Sequence, residues 1–256
     1  MTNKNTKVKN KKSVVAVING TEAKTIEEVL KKISLEKRNQ VTEISMDMAR
    51  NMGLAAENSF PNSKKVIDRF HVVRLVMDAM QHIRVKLRWK AIEEENTAIK
   101  EAKAKGEKYY PQILSNGDTL RELLVRSRYL LCKFEDEWTV NQRKRAVILF
   151  KKYPSLKSAY KLTLSFRNIY KNTSKTHAAT QFRKWANRVV ATKSEEFNTV
   201  VNSLEYHMDE ILNFFDNRST NANAESFNSK IKGFRANLRG VTDVRFFLFR
   251  LEKLFA

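Results

Sequence analysis

Three acidic residues in this 256-residue chain stand where side chains can do chemistry. Asp47 comes near the end of VTEISMDM (41–48). Asp68 lies in KKVIDRFHVV (64–73), three residues before His71. Glu225 falls in the first turn of a helical stretch, flanked by Asn221, Asn223, Asn228 and Lys232. Each has an ordinary structural use. An Asp after a strand caps the next helix, a Glu in a first helical turn complements the dipole, and a His in a buried strand satisfies a backbone carbonyl. Taken together they describe something sharper. Carboxylates with Asn neighbours and no cysteine ligands suit hard, oxygen-seeking Mg²⁺ or Mn²⁺ rather than zinc. Two such ions about 4 Å apart stabilise the attacking and leaving oxygens of an in-line phosphoryl transfer. The single cysteine, Cys132, excludes an internal disulfide framework and a multi-thiolate metal site. It reads as a small buried apolar residue of a helix.

The elements that must hold these residues follow from local pattern. SVVAVING (13–20) is a β-branched run closed by Asn19-Gly20, a strand and a turn. Thr25 opens TIEEVLKKI, a capped amphipathic helix. A second strand over 41–48 carries Asp47, a helix covers about 49–57, and a third strand over 64–73 carries Asp68 and His71. Strands and helices alternating, with carboxylates at strand ends, form an α/β pattern whose sites lie at the carboxyl edge of the sheet. Beyond residue 74 the strand signals stop. Helices are expected from 74 to the break at Gly106, then over 118–132, 139–152, 155–171, 175–192 and 194–215, with a last one from about Ala224. The layout is an α/β core piece at 1–75, an all-α insertion at 76–215, and a returning helix within 216–256 that bears Glu225.

Charge narrows the partners. Lys and Arg number 49 against 28 Asp and Glu, a net charge of +21. Residues 121–193 hold 18 basic and 4 acidic residues, which is two thirds of that surplus. A charge run on one helix is a solvated face, but like charges gathered over several helices call for a polyanion. The aromatics interleaved with them, Tyr129 and Phe134 among the first, are mostly core residues, and a few are placed to stack on an unpaired base. Trp89, Trp138 and Trp185 are assigned to the core. Hydrophobic residues at 42% exclude a disordered tail. Only six Gly and three Pro argue for long helices and against a sandwich or barrel of short strands. No run approaches the ~18 apolar residues of a membrane span, and no signal core is present, so the chain reads as cytosolic. A cationic protein that positions Mg²⁺ is suited to cutting or joining a nucleic acid backbone. A helical RNA-binding protein fits the composition but leaves the DRFH and NAESFN segments unexplained.

ISMDMA, FPNSKKVIDRFHVVRL, RSRYLL and STNANAESFNSKIKGFRANLRGV resemble the DDE transposases of bacterial insertion sequences, in particular the ISL-three branch. The resemblance runs from about residue 13 to the end. It implies a partial RNase H-like core, about three strands retained, interrupted by a large basic helical insertion. Asp47 matches the family's second catalytic Asp and Glu225 its Glu, both ligands of Mg²⁺ or Mn²⁺. Asp68 and His71 match an accessory C/D-x-x-H signature. The implied reaction is nicking of DNA at the element's ends and attack of the freed 3′-hydroxyl on target DNA. The implied protein is a homo-oligomer on DNA at the bacterial nucleoid, in the cytoplasm and off the membrane. Lys230, Lys232, Arg235 and Arg239 are expected to touch phosphate. One departure stands out: no Asp precedes Asp47, and the earlier acids are Glu22, Glu27, Glu28, Glu36 and Glu43. The family's first catalytic Asp therefore has no counterpart. The expectation is an N-terminally truncated copy, inactive or weak by itself, with a separately encoded N-terminal DNA-binding segment as a further partner. The alternative is a non-enzymatic DNA-binding remnant.

Overall fold

The computed structural model describes residues 15–18, 20–220 and 222–255. The chain divides into two compact units, Met1–His71 with Asp209–Ala256, and Val72–Met208.

In the first unit, α1 (Ala23–Leu30) and α2 (Leu35–Asn39) lead into β1 (Glu43–Met46). α3 (Arg50–Ser59) then crosses over to β2 (Lys64–Ile67). The two strands pair in parallel, Glu43 opposite Lys64 through Met46 opposite Ile67. Parallel strands need a crossover of this kind, because a tight hairpin cannot return the chain in the same direction. Ile26, Leu30, Ala55 and Phe60 form a buried cluster joined by Ile18, Ile33, Val41, Ile44 and Met52. Each large aliphatic side chain buried there contributes roughly 1.5–3 kcal/mol.

Several expectations for this unit change. The described residues hold two strands, not three. Val15–Ile18 has no regular structure, and its apolar character is used by packing Ile18 onto the α1–α3 cluster. Ser13, Val14 and Asn19 lie outside the described residues. Thr25 is not a cap: α1 starts two residues earlier, with Glu22 in the N-cap position and no side-chain cap bond. The strand expected over 64–73 ends at Ile67, and α4 (Arg69–Ala104) starts at once. His71 is therefore a residue of the first helical turn, not of a strand.

After α10 (Met208–Leu212) and α11 (Phe214–Asn217), polar side chains tie the chain to the strands. Asn213 Nδ2 donates to the Lys65 carbonyl at 2.8 Å, Lys64 pairs with Asp216, and Glu43 accepts from Asn217 Nδ2 at 3.0 Å and from the Ser219 hydroxyl. These bonds fix where α12 (Ala222–Asn237) begins. α13 (Val244–Phe255) follows, with Phe234 and Phe247 stacked at 5.6 Å and Leu251 buried.

The second unit is all helical: the rest of α4, then α5 (Leu120–Arg126), α6 (Val140–Lys152), α7 (Pro154–Ile169), α8 (Lys175–Thr192) and α9 (Glu195–Tyr206). Sequence punctuates it clearly. Thr119 with Glu122 and Thr139 with Gln142 form reciprocal capping boxes, and proline opens α7 where its missing N–H costs nothing. The regions expected as single helices over 118–132 and 194–215 are each broken, the first by a 3₁₀ turn at Leu130–Cys132. Phe166, Tyr170, Phe182 and Trp185 make an interlocking aromatic core, and Trp138 stacks on Tyr160 at 5.5 Å. Trp138 and Trp185 are buried as expected, and each indole N–H reaches a carbonyl. Trp89 is not: it is 56% exposed. The buried stripe of α4 runs through Val76, Met80, Arg84 and Ala91, and Trp89, five residues past Arg84, falls about 140° away from that residue. Cys132 is half-buried rather than buried, with Gln81 Nε2 at 3.5 Å from its sulfur. Among the described residues no helix is long and apolar enough to cross a membrane.

Candidate active site

Asp47 and Asp68 occupy equivalent places. Each is the first residue past its strand, and the parallel register that pairs Met46 with Ile67 extends to them. The Asp68 N–H continues the ladder by donating to the Met46 carbonyl at 2.9 Å. Both carboxylates thus stand at the carboxyl edge of the sheet, where open α/β folds place their sites.

Each also serves its own turn. The Ala49 N–H donates to Asp47 Oδ1 at 3.0 Å, at the start of α3. The Phe70 N–H donates to Asp68 Oδ1 at 2.7 Å, and the His71 N–H to the Asp68 carbonyl at 3.1 Å. Asp68 is 3% exposed and locks the first turn of α4. That turn presents His71.

Glu225 lies in the first turn of α12, where a carboxylate complements the helix dipole. His71 Nε2 stands 3.4 Å from Glu225 Oε1, an ion pair when the ring is protonated, with the two side chains 30% and 41% exposed. Phe70 meets the His71 ring edge-on at 5.6 Å and steadies it. The structure thus brings Asp68, His71 and Glu225 into one chain of contacts, beginning one ladder bond from β1. Asp47 is bonded within its own turn and not to the other three. The His71–Glu225 contact, across 154 positions, carried no signal in the sequence beyond the two motifs themselves.

The donor chemistry fits a hard divalent ion, since Asp47 and Glu225 offer carboxylate oxygens and neither Oδ2 nor Oε2 has a protein partner among the described residues. A complete cage is another matter: among the described residues no three His, Cys, Asp or Glu side chains group closely enough to hold a metal ion. Lys230, Lys232, Arg235 and Arg239 are all exposed, on α12 and the turn after it, with no acidic partner among the described residues.

The cap at Asp68 gives a direct test of this construction. Asp68→Ala is expected to cost about 1–2 kcal/mol of stability and to loosen His71 from Glu225. Asp68→Asn, which keeps an acceptor for the Phe70 N–H, is expected to cost less. Urea unfolding reports the first effect, and His71 ring resonances in NMR report the second.

The ISL3 family model of DDE transposases, described as Transposase, matches residues 1–251. No curated protein and no solved structure matches the chain. Transposases act on DNA, and DDE transposases as a class use divalent metal ions. A match over nearly the whole length decides the assignment: this chain belongs to the ISL3 family of DDE transposases.

Proposed function

We propose that the chain acts in transposition through DNA strand cleavage and joining, with Asp47 and Glu225 as the carboxylates that hold Mg²⁺ or Mn²⁺ at the edge of a partial RNase H-like core. Bound there, the ions would supply charge stabilisation to the attacking and leaving oxygens of the phosphodiester. The observation that carries this reading is the 3.4 Å approach of His71 to Glu225. It ties the helix-borne carboxylate to the turn that Asp68 begins, one ladder bond from β1, which supports a site at this sheet edge. His71 restrains Glu225, and Asp68 holds the turn that aims His71.

Apart from Asp68, which caps the first turn of α4, a third carboxylate for that edge has no evident source upstream of Asp47. Residues 1–46 contain no aspartate. Glu43 sits at the amino end of β1, engaged by Asn217 and Ser219, and Glu27 is bonded to Asn58 and Lys31 on the surface. We therefore expect this 256-residue chain alone to bind DNA and to show no strand transfer. Among the described residues β1 has no partner strand on the edge remote from β2, and an extended segment bearing an Asp, added in trans, would add there. A second reading, DNA binding without chemistry, is favoured by the turn bonds of Asp47 and Asp68, which give both carboxylates a structural use.

A nicking assay on duplex DNA carrying the element's ends, with Mg²⁺ or Mn²⁺, separates these readings. The expected result is no cleavage by the chain alone and cleavage when the Asp-bearing segment is supplied, abolished by Glu225→Gln or Asp47→Asn. Robust cleavage by the chain alone would overturn the predicted deficit. Metal-independent binding with no cleavage in any combination would establish the remnant.

A further inference from the structure

In the second unit, α4 buries an arginine. Arg84 is 7% exposed; its Nε donates to Gln81 Oε1 at 2.6 Å and its Nη1 to the Leu124 carbonyl at 2.9 Å. Both acceptors are neutral. A buried guanidinium is ordinarily matched by a carboxylate, because desolvating an unpaired charge is costly. Arg84 has none among the described residues and faces two more arginines instead. Burial, followed by repulsion from Arg128 and Arg88, holds its pKa below the usual arginine value, and only the Cys132 thiol acts the other way. The Arg88 Nε is itself buried with no hydrogen-bond partner.

The backbone keeps this group together. Gln81 Nε2 donates to the Arg128 carbonyl at 3.1 Å, which fixes the turn after α5 against α4. Next to two of the arginines stand exposed aromatic rings. Trp89 is 56% exposed with the Arg88 guanidinium 5.9 Å from its ring centre, and Tyr129 is 69% exposed with that of Arg128 at 5.5 Å. Three guanidiniums with no counter-ion among the described residues describe an anion site, and their planar forks match phosphate oxygens in pairs. Exposed indole and phenol faces add a second requirement, a flat π-surface on the ligand. A duplex hides its base faces, an acidic peptide has none, and a single strand presents both phosphates and bases.

We propose that Arg84, Arg88 and Arg128 form a phosphate site for single-stranded nucleic acid, with Trp89 and Tyr129 as stacking surfaces for its bases. This rests on the reading of the chain as a DNA-binding protein and adds a site to it, remote in sequence from Asp47 and Glu225.

The test uses the full chain and an oligothymidine of about 12 nucleotides, within the span such sites cover, alongside a duplex and a poly-glutamate peptide. Trp138 and Trp185 are buried, so quenching of tryptophan fluorescence on titration reports Trp89. Trp89→Leu should abolish that quenching. Arg88→Gln with Arg128→Gln should weaken oligothymidine binding about tenfold or more and lower the slope of log K against log salt by about 1.4. A charge-matched control, Lys157→Gln with Lys161→Gln on the exposed face of α7, should lose less affinity. Should the double arginine variant fold poorly by circular dichroism, Arg128→Gln alone, at an exposed side chain, carries the same expectation with half the slope change. Arginine variants no weaker than the lysine control, an equal loss for duplex, or equal binding of poly-glutamate would each overturn the site while leaving DNA binding in place. Failure of the unmodified chain to bind any DNA would overturn both.

Discussion

Asp118→Ala is expected to lower the unfolding free energy of the helical unit by about 3–5 kcal/mol. The Asp118 side chain is 1% exposed, and it accepts from Arg145 Nε at 2.8 Å, from Asn116 Nδ2 at 2.7 Å and from Arg126 Nη1. Its own carbonyl accepts the Leu114 N–H at 2.9 Å, closing the turn that precedes α5. One carboxylate therefore joins that turn, α5 and α6. Deleting it leaves Arg145, only 20% exposed, as an uncompensated charge, and that penalty dominates the loss. Asp118→Asn keeps the shape and sheds the charge, so an intermediate cost is expected. Acid should discriminate further. Burial pushes the Asp118 carboxyl up, but hydrogen bonds from Arg145, Arg126 and Asn116 outweigh it and hold the group below its ordinary value of 3.8. A depressed folded-state pKa adds stability above the unfolded value and loses it as pH falls through the folded one. The gap between parent and Asp118→Ala should accordingly be full at neutral pH and shrink on acidification below about pH 4. Urea unfolding followed by circular dichroism at neutral and acid pH checks this. A constant gap across that range would show that the cluster contributes packing and not charge.

What the sequence made legible was whatever local chemistry decides. β1, α3 and the start of α12 follow from β-branched runs, helical spacing and a Glu-bearing first turn. His71 was misread because Val72 and Val73 look like a continuing strand. The cap at Asp68 competed with that pattern and won, since its bond to the Phe70 N–H starts the helix. Trp89 was misplaced by its residue type, although the Arg88 and Lys90 beside it signalled an outward face. The irregular Val15–Ile18, expected as part of a strand, shows the reverse error, in which β propensity was taken for pairing that requires an available partner edge. Two features had no local signature. The His71–Glu225 contact and the Arg84–Arg88–Arg128 group each depend on segments brought together by tertiary packing. Only coordinates show that a buried arginine on α4 has arginines, not carboxylates, for neighbours.

Replacing Lys230, Lys232, Arg235 and Arg239 together by alanine should flatten the salt dependence of duplex DNA binding. The slope of log K against log salt should fall by about 3–4, with a loss of about a hundredfold or more at low salt. The four side chains are exposed and lack acidic partners among the described residues, so their charge is available to phosphates. Their positions are unequal. Lys232 stands two turns beyond Glu225 on the same face of α12, whereas Lys230 lies about 140° around the helix. Arg239 follows the helix end with φ at 54°, in the left-handed region, where the Gly240 N–H closes the last turn onto the Arg235 carbonyl at 3.3 Å. A strand approaching Glu225 would meet Lys232 and Arg235 first. Lys232→Ala with Arg235→Ala should account for about half of the slope change, and Lys230→Ala alone for the smallest share. None of the four supports the packing of α12 on α13, which rests on Phe234 against Phe247 and on Arg250 over Phe234. Thermal stability should therefore stay within about 0.5 kcal/mol of the parent. Glu225→Gln serves as the counter-test, because it removes a carboxylate proposed to hold the metal and no cation. It should leave the salt slope in place while abolishing any metal-dependent cleavage. An unchanged slope in the quadruple variant would detach this face from DNA and leave the charge of the helical unit as the source of binding.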